Sequence, residues 1–196
     1  RPRNLGAATV FFHTFRERET LYNLIESLTG GRLTTSYTRV GGLSADIPDG
    51  WIERLRAFTN SFPGVMDELD ALLTGNRIWM KRTQNVGVIG AADAVALSLT
   101  GPNLRGCGVA YDVRKTEPYL GYEEYDFEVP IGANGDVFDR FWVRVQEMRA
   151  SLDLIEKCLD GLPEGPVIAD DRKVVLPPRH ELHTSMESLI HHFKIV

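Results

Sequence analysis

Apolar residues recur at helical spacing in four stretches of this chain. The first covers about residues 6–29, where Ala8, Phe11, Phe12 and Phe15 are continued by Tyr22, Ile25 and Leu28. Arg16-Glu17-Arg18-Glu19 interrupts the stripe, so Arg18 or Glu19 falls in line with it; a charge there must be paired internally or meet a partner. The second, about residues 50–74, carries Trp51, Leu55, Phe58, Phe62, Val65, Leu69 and Leu72. Pro63-Gly64 falls inside it and predicts a kink or two successive helices, with Asp49 and Gly75 as caps. The third is the most regular: Phe138, Phe141, Val145, Met148, Leu152, Ile155, Leu159 and Leu162. Asp136 and Asp139 stand at its start, where the helix dipole favours acid, and Gly161 marks its stop. Asp136/Arg140 and Asp153/Lys157 read as i,i+4 pairs on its exposed side. The fourth, about residues 179–194, shows Leu182, Met186, Leu189 and Phe193 after Pro177-Pro178.

A shorter helix is predicted over Ala91–Leu99. Between it and the third long helix lies a Gly-rich extended region, about residues 100–134, with a short strand pair predicted, Asp126–Pro130 being one candidate. A connection of that length in a compact domain is usually functional. Its charges alternate in sign (Arg105, Asp112, Arg114, Lys115, Glu117, Glu123, Glu124, Asp126) among Tyr111, Tyr119, Tyr122 and Tyr125. Tyrosine with arginine on a structured loop is interface composition, against the plainer reading of a solvated loop. The pattern predicts a mainly α fold with one charged loop, minor β structure and a large partner surface.

Composition narrows this picture. The chain has 196 residues, 43% of them hydrophobic and 25% charged, which suits one soluble domain with a real core. A formal net charge of -5 argues against a nucleic-acid partner. No apolar run approaches the roughly 18 residues of a membrane span. Two distant cysteines, Cys107 and Cys158, make neither a disulfide framework nor a CxxC site, and fit a reducing compartment. The opening RPRNLG has no apolar h-region, so no signal peptide is expected. The first helical pattern starts near residue 1 and the last runs to Val196 without a cap, so a piece of a longer chain is expected.

Catalytic motifs are weak. Cys107 lies between Gly106 and Gly108, which favours close packing over nucleophilic chemistry, and Cys158 reads as core. His191-His192 and His180/His183 lack the spacing of a metal pair, so surface or interface histidines are the better reading. Gly41-Gly42 and Gly87 match neither GxGxxG nor a P-loop and are read as turns with positive φ.

Several blocks carry a resemblance: FRERE (15–19), RVGGLSADIP (39–48), NRIWMKRT (76–83), the long block TGPNLRGCGVAYDVRKTEPYLGYEEYDFEVPIG (100–132), GDVFDRFWVRVQEMRASL (135–152), PPR (177–179) and TSMESLIHHFK (184–194). Together they resemble the D, or 49-kDa-type, subunit of respiratory complex I, NADH:quinone oxidoreductase, a family similar to nickel–iron hydrogenase large subunits. The resemblance implies a long-helix bundle of the hydrogenase-large-subunit type. Residues 1–196 would be a single domain, the central portion of that protein with its N- and C-terminal parts absent.

It also implies a role. With the B subunit, such a protein forms the cavity in which quinone is reduced next to a terminal [4Fe–4S] cluster of the B subunit, and that reduction drives proton pumping. The chain itself would hold no cofactor; NADH and FMN act elsewhere in the complex. Expected partners are the B and C subunits, other peripheral-arm subunits and the membrane arm, at the cytoplasmic face of a bacterial inner membrane. The family's headgroup histidine and tyrosine lie outside these residues, so the piece alone is expected not to turn over quinone.

Two site residues carry over, both departing from the family's pattern. Asn4 stands where an aspartate usually contacts the quinone-site histidine; asparagine can hydrogen-bond but holds no charge. Thr34 stands where many members have a histidine close to the cluster, and Arg39 is placed on the same cluster-facing side. The charged loop is expected to meet neighbouring subunits near the membrane end of the peripheral arm. Alternatives are a related F420H2 or ferredoxin dehydrogenase or membrane-bound hydrogenase subunit, told apart by cysteine pairs in the flanks, or a purely structural scaffold.

Overall fold

The computed structural model describes residues 8–196. It is mainly helical: α1 (Ala8–Thr29), β1 (Thr38–Arg39), β2 (Gly42–Leu43), α2 (Trp51–Thr74), α3 (Arg77–Thr83), α4 (Ala91–Ala96), α5 (Gly101–Gly106), α6 (Val113–Thr116), α7 (Val137–Asp160) and α8 (Met186–Ile195). Single 3-10 turns add Tyr122–Glu124 and Glu181–His183. The chain divides into two compact units: the described residues up to Thr14 with Arg56–Leu162, and Phe15–Leu55 with Pro163–Val196.

In the first unit α7 is the spine. Its N-terminal amides would be orphaned without a cap. Asp136 supplies one: its carboxylate accepts from Asp139 N at 2.8 Å and, across the chain, from Asn85 N at 2.8 Å. Asp139 in turn accepts from the amides of Ala133 and Asn134. Both aspartates are buried, so the predicted Asp136/Arg140 surface pair does not form. Arg140 instead donates to the carbonyls of Gly135 and Gly87, both at 2.8 Å. The Asp153–Lys157 pair does form, at 2.7 Å.

Two small apolar clusters flank this spine. Val10, Leu73 and Trp79 pack together, with Trp79 edge-on to Phe141 at 5.5 Å between centroids. Ala94, Leu104 and Cys107 form the other. Cys107 is buried and donates to Asn103 O at 3.1 Å, the close packing its glycine neighbours predict. A Cβ on Gly106 would sit 2.8 Å from Arg140 Cγ, so only glycine lets α5 approach α7 here.

In the second unit β1 and β2 pair antiparallel, Thr38 opposite Leu43 and Arg39 opposite Gly42. Trp51 Nε1 donates to Leu24 O at 2.9 Å. Ser185 caps α8, and the fully buried Ser188 donates to Glu181 at 2.8 Å while accepting from Arg172 at 3.2 Å.

Several expectations are corrected. The strand pair lies at residues 38–43, and Asp126–Pro130 is not a strand. Trp51–Thr74 is one helix with Pro63 inside it, so of the two predicted outcomes the pair of successive helices does not form. The last predicted helix breaks at Thr184, because Ser185 caps a new start. The predicted stripes hold in part: Leu55, Phe58, Val145 and Leu159 are buried, while other positions depart from them. Val10, Leu24, Val143 and Leu154 are buried, whereas Phe12, Leu72, Met186 and Phe193 are exposed, Phe193 at 75%. Cys158 is exposed rather than core, beside Tyr125, whose hydroxyl pKa is raised by its hydrogen bond to that thiol.

Replacing Asp136 by alanine removes a helix cap and leaves Asn85 N without its acceptor. An unfolding stability lower by about 2–3 kcal/mol in urea titrations is the expected result, and a loss under about 0.5 kcal/mol would contradict the capping role.

Candidate functional site

Thr34 and Arg39 lie on one segment of the second unit, the stretch from the end of α1 to β2. Thr34 is exposed in the loop. Arg39 is exposed on β1, and its Nε donates to Ser36 O at 3.2 Å. Leu33 and Val40 are exposed beside them. Backbone hydrogen bonds from residues 167–169 hold the hairpin. Leu43 N donates to Val167 O and Ala169 N to Gly41 O, both at 2.8 Å, and Gly42 bridges Ile168. Gly42 has φ +145 and a Cβ there would run into Val167 O, so the backbones meet because no side chain intervenes. The positive-φ reading of Gly41, Gly42 and Gly87 holds, at +91, +145 and +60. Sequence reasoning gave no sign that residues 167–169 would hold this hairpin. Asn4 lies outside the described residues.

Arg32 gathers the charges in line with α1's stripe in the same unit. It pairs with Glu19 and Glu26 and donates to Asn23 at 3.0 Å. Arg18 lies over the rings of Phe15 and Tyr22, at 5.4 and 5.0 Å. Charge in phase with the apolar face is therefore paired internally.

The charged loop belongs to the first unit. Arg105 is 7% exposed, donates through Nε to Glu147 of α7 at 2.7 Å and through Nη1 to Tyr111 O at 2.9 Å, and stands 3.7 Å from Asp112. Asp112, 4% exposed, caps α6 through Arg114 N and takes a forked contact from the Arg114 guanidinium, at 3.0 and 2.6 Å. Arg114 lies over Phe127 at 4.7 Å, which also carries Lys115 at 4.9 Å. The loop's cations are thus satisfied inside the unit. A groove of about 460 Å³ opens nearby, lined by Phe127, Glu128, Pro130, Trp142, Gln146 and Arg149 among others, and neither Thr34 nor Arg39 lines it. Among the described residues no group of three or more His, Cys, Asp or Glu side chains could hold a metal ion. No described helix is long and apolar enough to cross a membrane.

These features define a class: a mainly helical protein that presents two firmly held, exposed segments. Comparison with known proteins supplies the family. The family described as "Respiratory-chain NADH dehydrogenase, 49 Kd subunit" matches residues 4–196, and the chain belongs to it. It is 52% identical over 191 residues to the NADH-quinone oxidoreductase D subunit of Methylacidiphilum infernorum, covering 97% of this chain and 46% of that protein. Against the corresponding D subunit of Geotalea uraniireducens it is 50% identical over 192 residues, covering 98% and 49%. The chain spans about half the length of the curated relatives it matches.

The Arg114 contact, more than the nearby Arg105, holds the Asp112 carboxyl below its ordinary pKa. Its charge therefore contributes stability above the usual carboxylate value of about 3.9, and this is lost as pH falls through the lowered folded-state value. Asp112→Asn is expected to be about 3 kcal/mol less stable than wild type near neutral pH. The difference should shrink below about pH 4 in denaturation series run at several pH values. A gap independent of pH would show that the carboxylate charge is not what matters.

Proposed function

We propose that this chain is part of the quinone-reducing subunit of a proton-pumping NADH:quinone oxidoreductase, working with the B subunit beside its [4Fe–4S] cluster. In this reading the exposed hairpin segment, with Thr34 and Arg39, faces the cluster, and Asn4 lies at the quinone headgroup end. Quinone is the substrate. The B and C subunits and the membrane arm are the partners, at the cytoplasmic face of a bacterial inner membrane. The supporting observation is similarity running through almost the whole chain, at about half identity, to proteins named as D subunits of NADH-quinone oxidoreductase.

The hairpin geometry agrees with a surface to be covered. Its backbone is held from one side, while Arg39 and Val40 on it and Leu33 and Thr34 in the loop before it are left to solvent. The cluster would supply electrons one at a time; this chain's part is the polarity and proton-holding capacity of the wall. A threonine hydroxyl does not titrate in the physiological range, while a histidine there would. Arg39 contributes a charge that does not change with pH.

Electrochemical titration of the terminal cluster in the intact complex tests this. The midpoint potential should move by well under the roughly 59 mV per pH unit of a one-electron, one-proton couple. Thr34→His should steepen the slope between pH 6 and 8. A full slope in the wild type, unaltered by Thr34→His, would remove Thr34 from the cluster's surroundings.

A further inference from the structure

The tip of the charged loop breaks a local rule of turn chemistry. Tyr122 N donates to Tyr119 O at 3.1 Å, closing a four-residue turn whose central residues, Leu120 and Gly121, have φ +51 and +81. These are the φ signs of a type I′ turn, which selects Asn-Gly or Gly-Gly because a branched side chain resists φ above zero. Leucine stands there instead, and it is 92% exposed. Neither the turn's backbone geometry nor the core requires leucine at this position.

The surroundings point to a role for it. The loop is held before any partner arrives: Tyr119 packs on Tyr122 at 5.2 Å and Tyr122 on Phe127 at 6.4 Å. Arg114 covers Phe127 and Asp112 is locked beneath. A held loop loses little freedom on binding. Within four residues of Leu120 along the chain, Glu117, Glu123 and Glu124 are exposed, and none has a cation within ion-pair distance among the described residues. An exposed apolar turn flanked along the chain by exposed carboxylates is complementary to an apolar socket bordered by lysine or arginine on a protein. The same acids would be repelled by an anionic lipid surface.

We infer that the turn Tyr119–Tyr122 is a docking finger, inserting Leu120 into a basic-rimmed apolar socket of a partner protein in the assembly to which the chain belongs. This rests on the proposed membership of a multisubunit dehydrogenase. The test places variants in the full-length protein in its own cells and measures the fraction found in the high-mass assembly on native gels. Leu120→Asn gives the turn its favoured Asn-Gly pair, so the melting temperature of the purified chain should hold or rise. Its incorporated fraction should fall at least tenfold, while Leu120→Met assembles like wild type. The double reversal Glu123→Lys, Glu124→Lys should lower incorporation at least fivefold.

Equal incorporation of Leu120→Asn and wild type overturns the finger alone. A wild-type chain never found in a larger assembly overturns the proposed function and the finger with it. Unaltered incorporation of the double reversal overturns the basic rim. Pelleting with phosphatidylglycerol vesicles that Leu120→Asn abolishes would assign the tip to lipid and overturn the protein socket.

Discussion

A guanidinium buried with no carboxylate beside it would cost several kcal/mol, and Arg105 is buried. Its position is tolerable because three acceptors converge on it: Glu147 from α7, the Tyr111 carbonyl, and the more distant Asp112 carboxylate. The fork geometry of arginine suits this arrangement in a way that a lysine ammonium would not. Once Arg105 is placed, the chain after α5 must return to it, and Tyr111 and Asp112 are where it does. Asp112 then needs its own neutralisation, which Arg114 gives while lying on Phe127. The loop is thereby tied to the middle of the longest helix of its unit.

The second unit reaches the same end by different means. Its hairpin is held by main-chain hydrogen bonds to residues 167–169, with glycines removing the side chains that would block the approach. In both units the polar interactions that fix the backbone point inward and the unusual side chains point outward: Leu120 in one, Leu33 and Val40 in the other. Hydrogen-bonded backbone beneath exposed apolar side chains suits surfaces made to be covered. It fits a family whose members are subunits.

The sequence showed the long helices because a 3.6-residue period survives over many turns, as between Phe138 and Leu162. It placed Asp136 and Asp139 at the start of that helix but read Asp136 as half of a surface pair with Arg140; that its carboxylate caps the helix and holds Asn85 N came only from the structure. It placed Leu55, Phe58, Val145 and Leu159 correctly but misjudged Met186 and Phe193, which keep their period whether they meet this chain's core or another surface. Short helices such as Arg77–Thr83 and Val113–Thr116 carry too few turns for a period, though the cap Asn76 was a readable signal for the first. The Arg105–Glu147 pair could not be read at all: 42 residues separate its partners and nothing local links them. Thr34 and Arg39 came only from resemblance; the structure adds that both are exposed, Arg39 on the hairpin held by residues 167–169 and Thr34 in the loop before it.

Arg105 organises the loop from the buried side. Amide hydrogen exchange followed by mass spectrometry, comparing wild type with Arg105→Met, tests this directly. Faster exchange is expected across residues 109–127 in the variant, with protection in the body of α7 largely kept. Unchanged protection of that loop in Arg105→Met would contradict it.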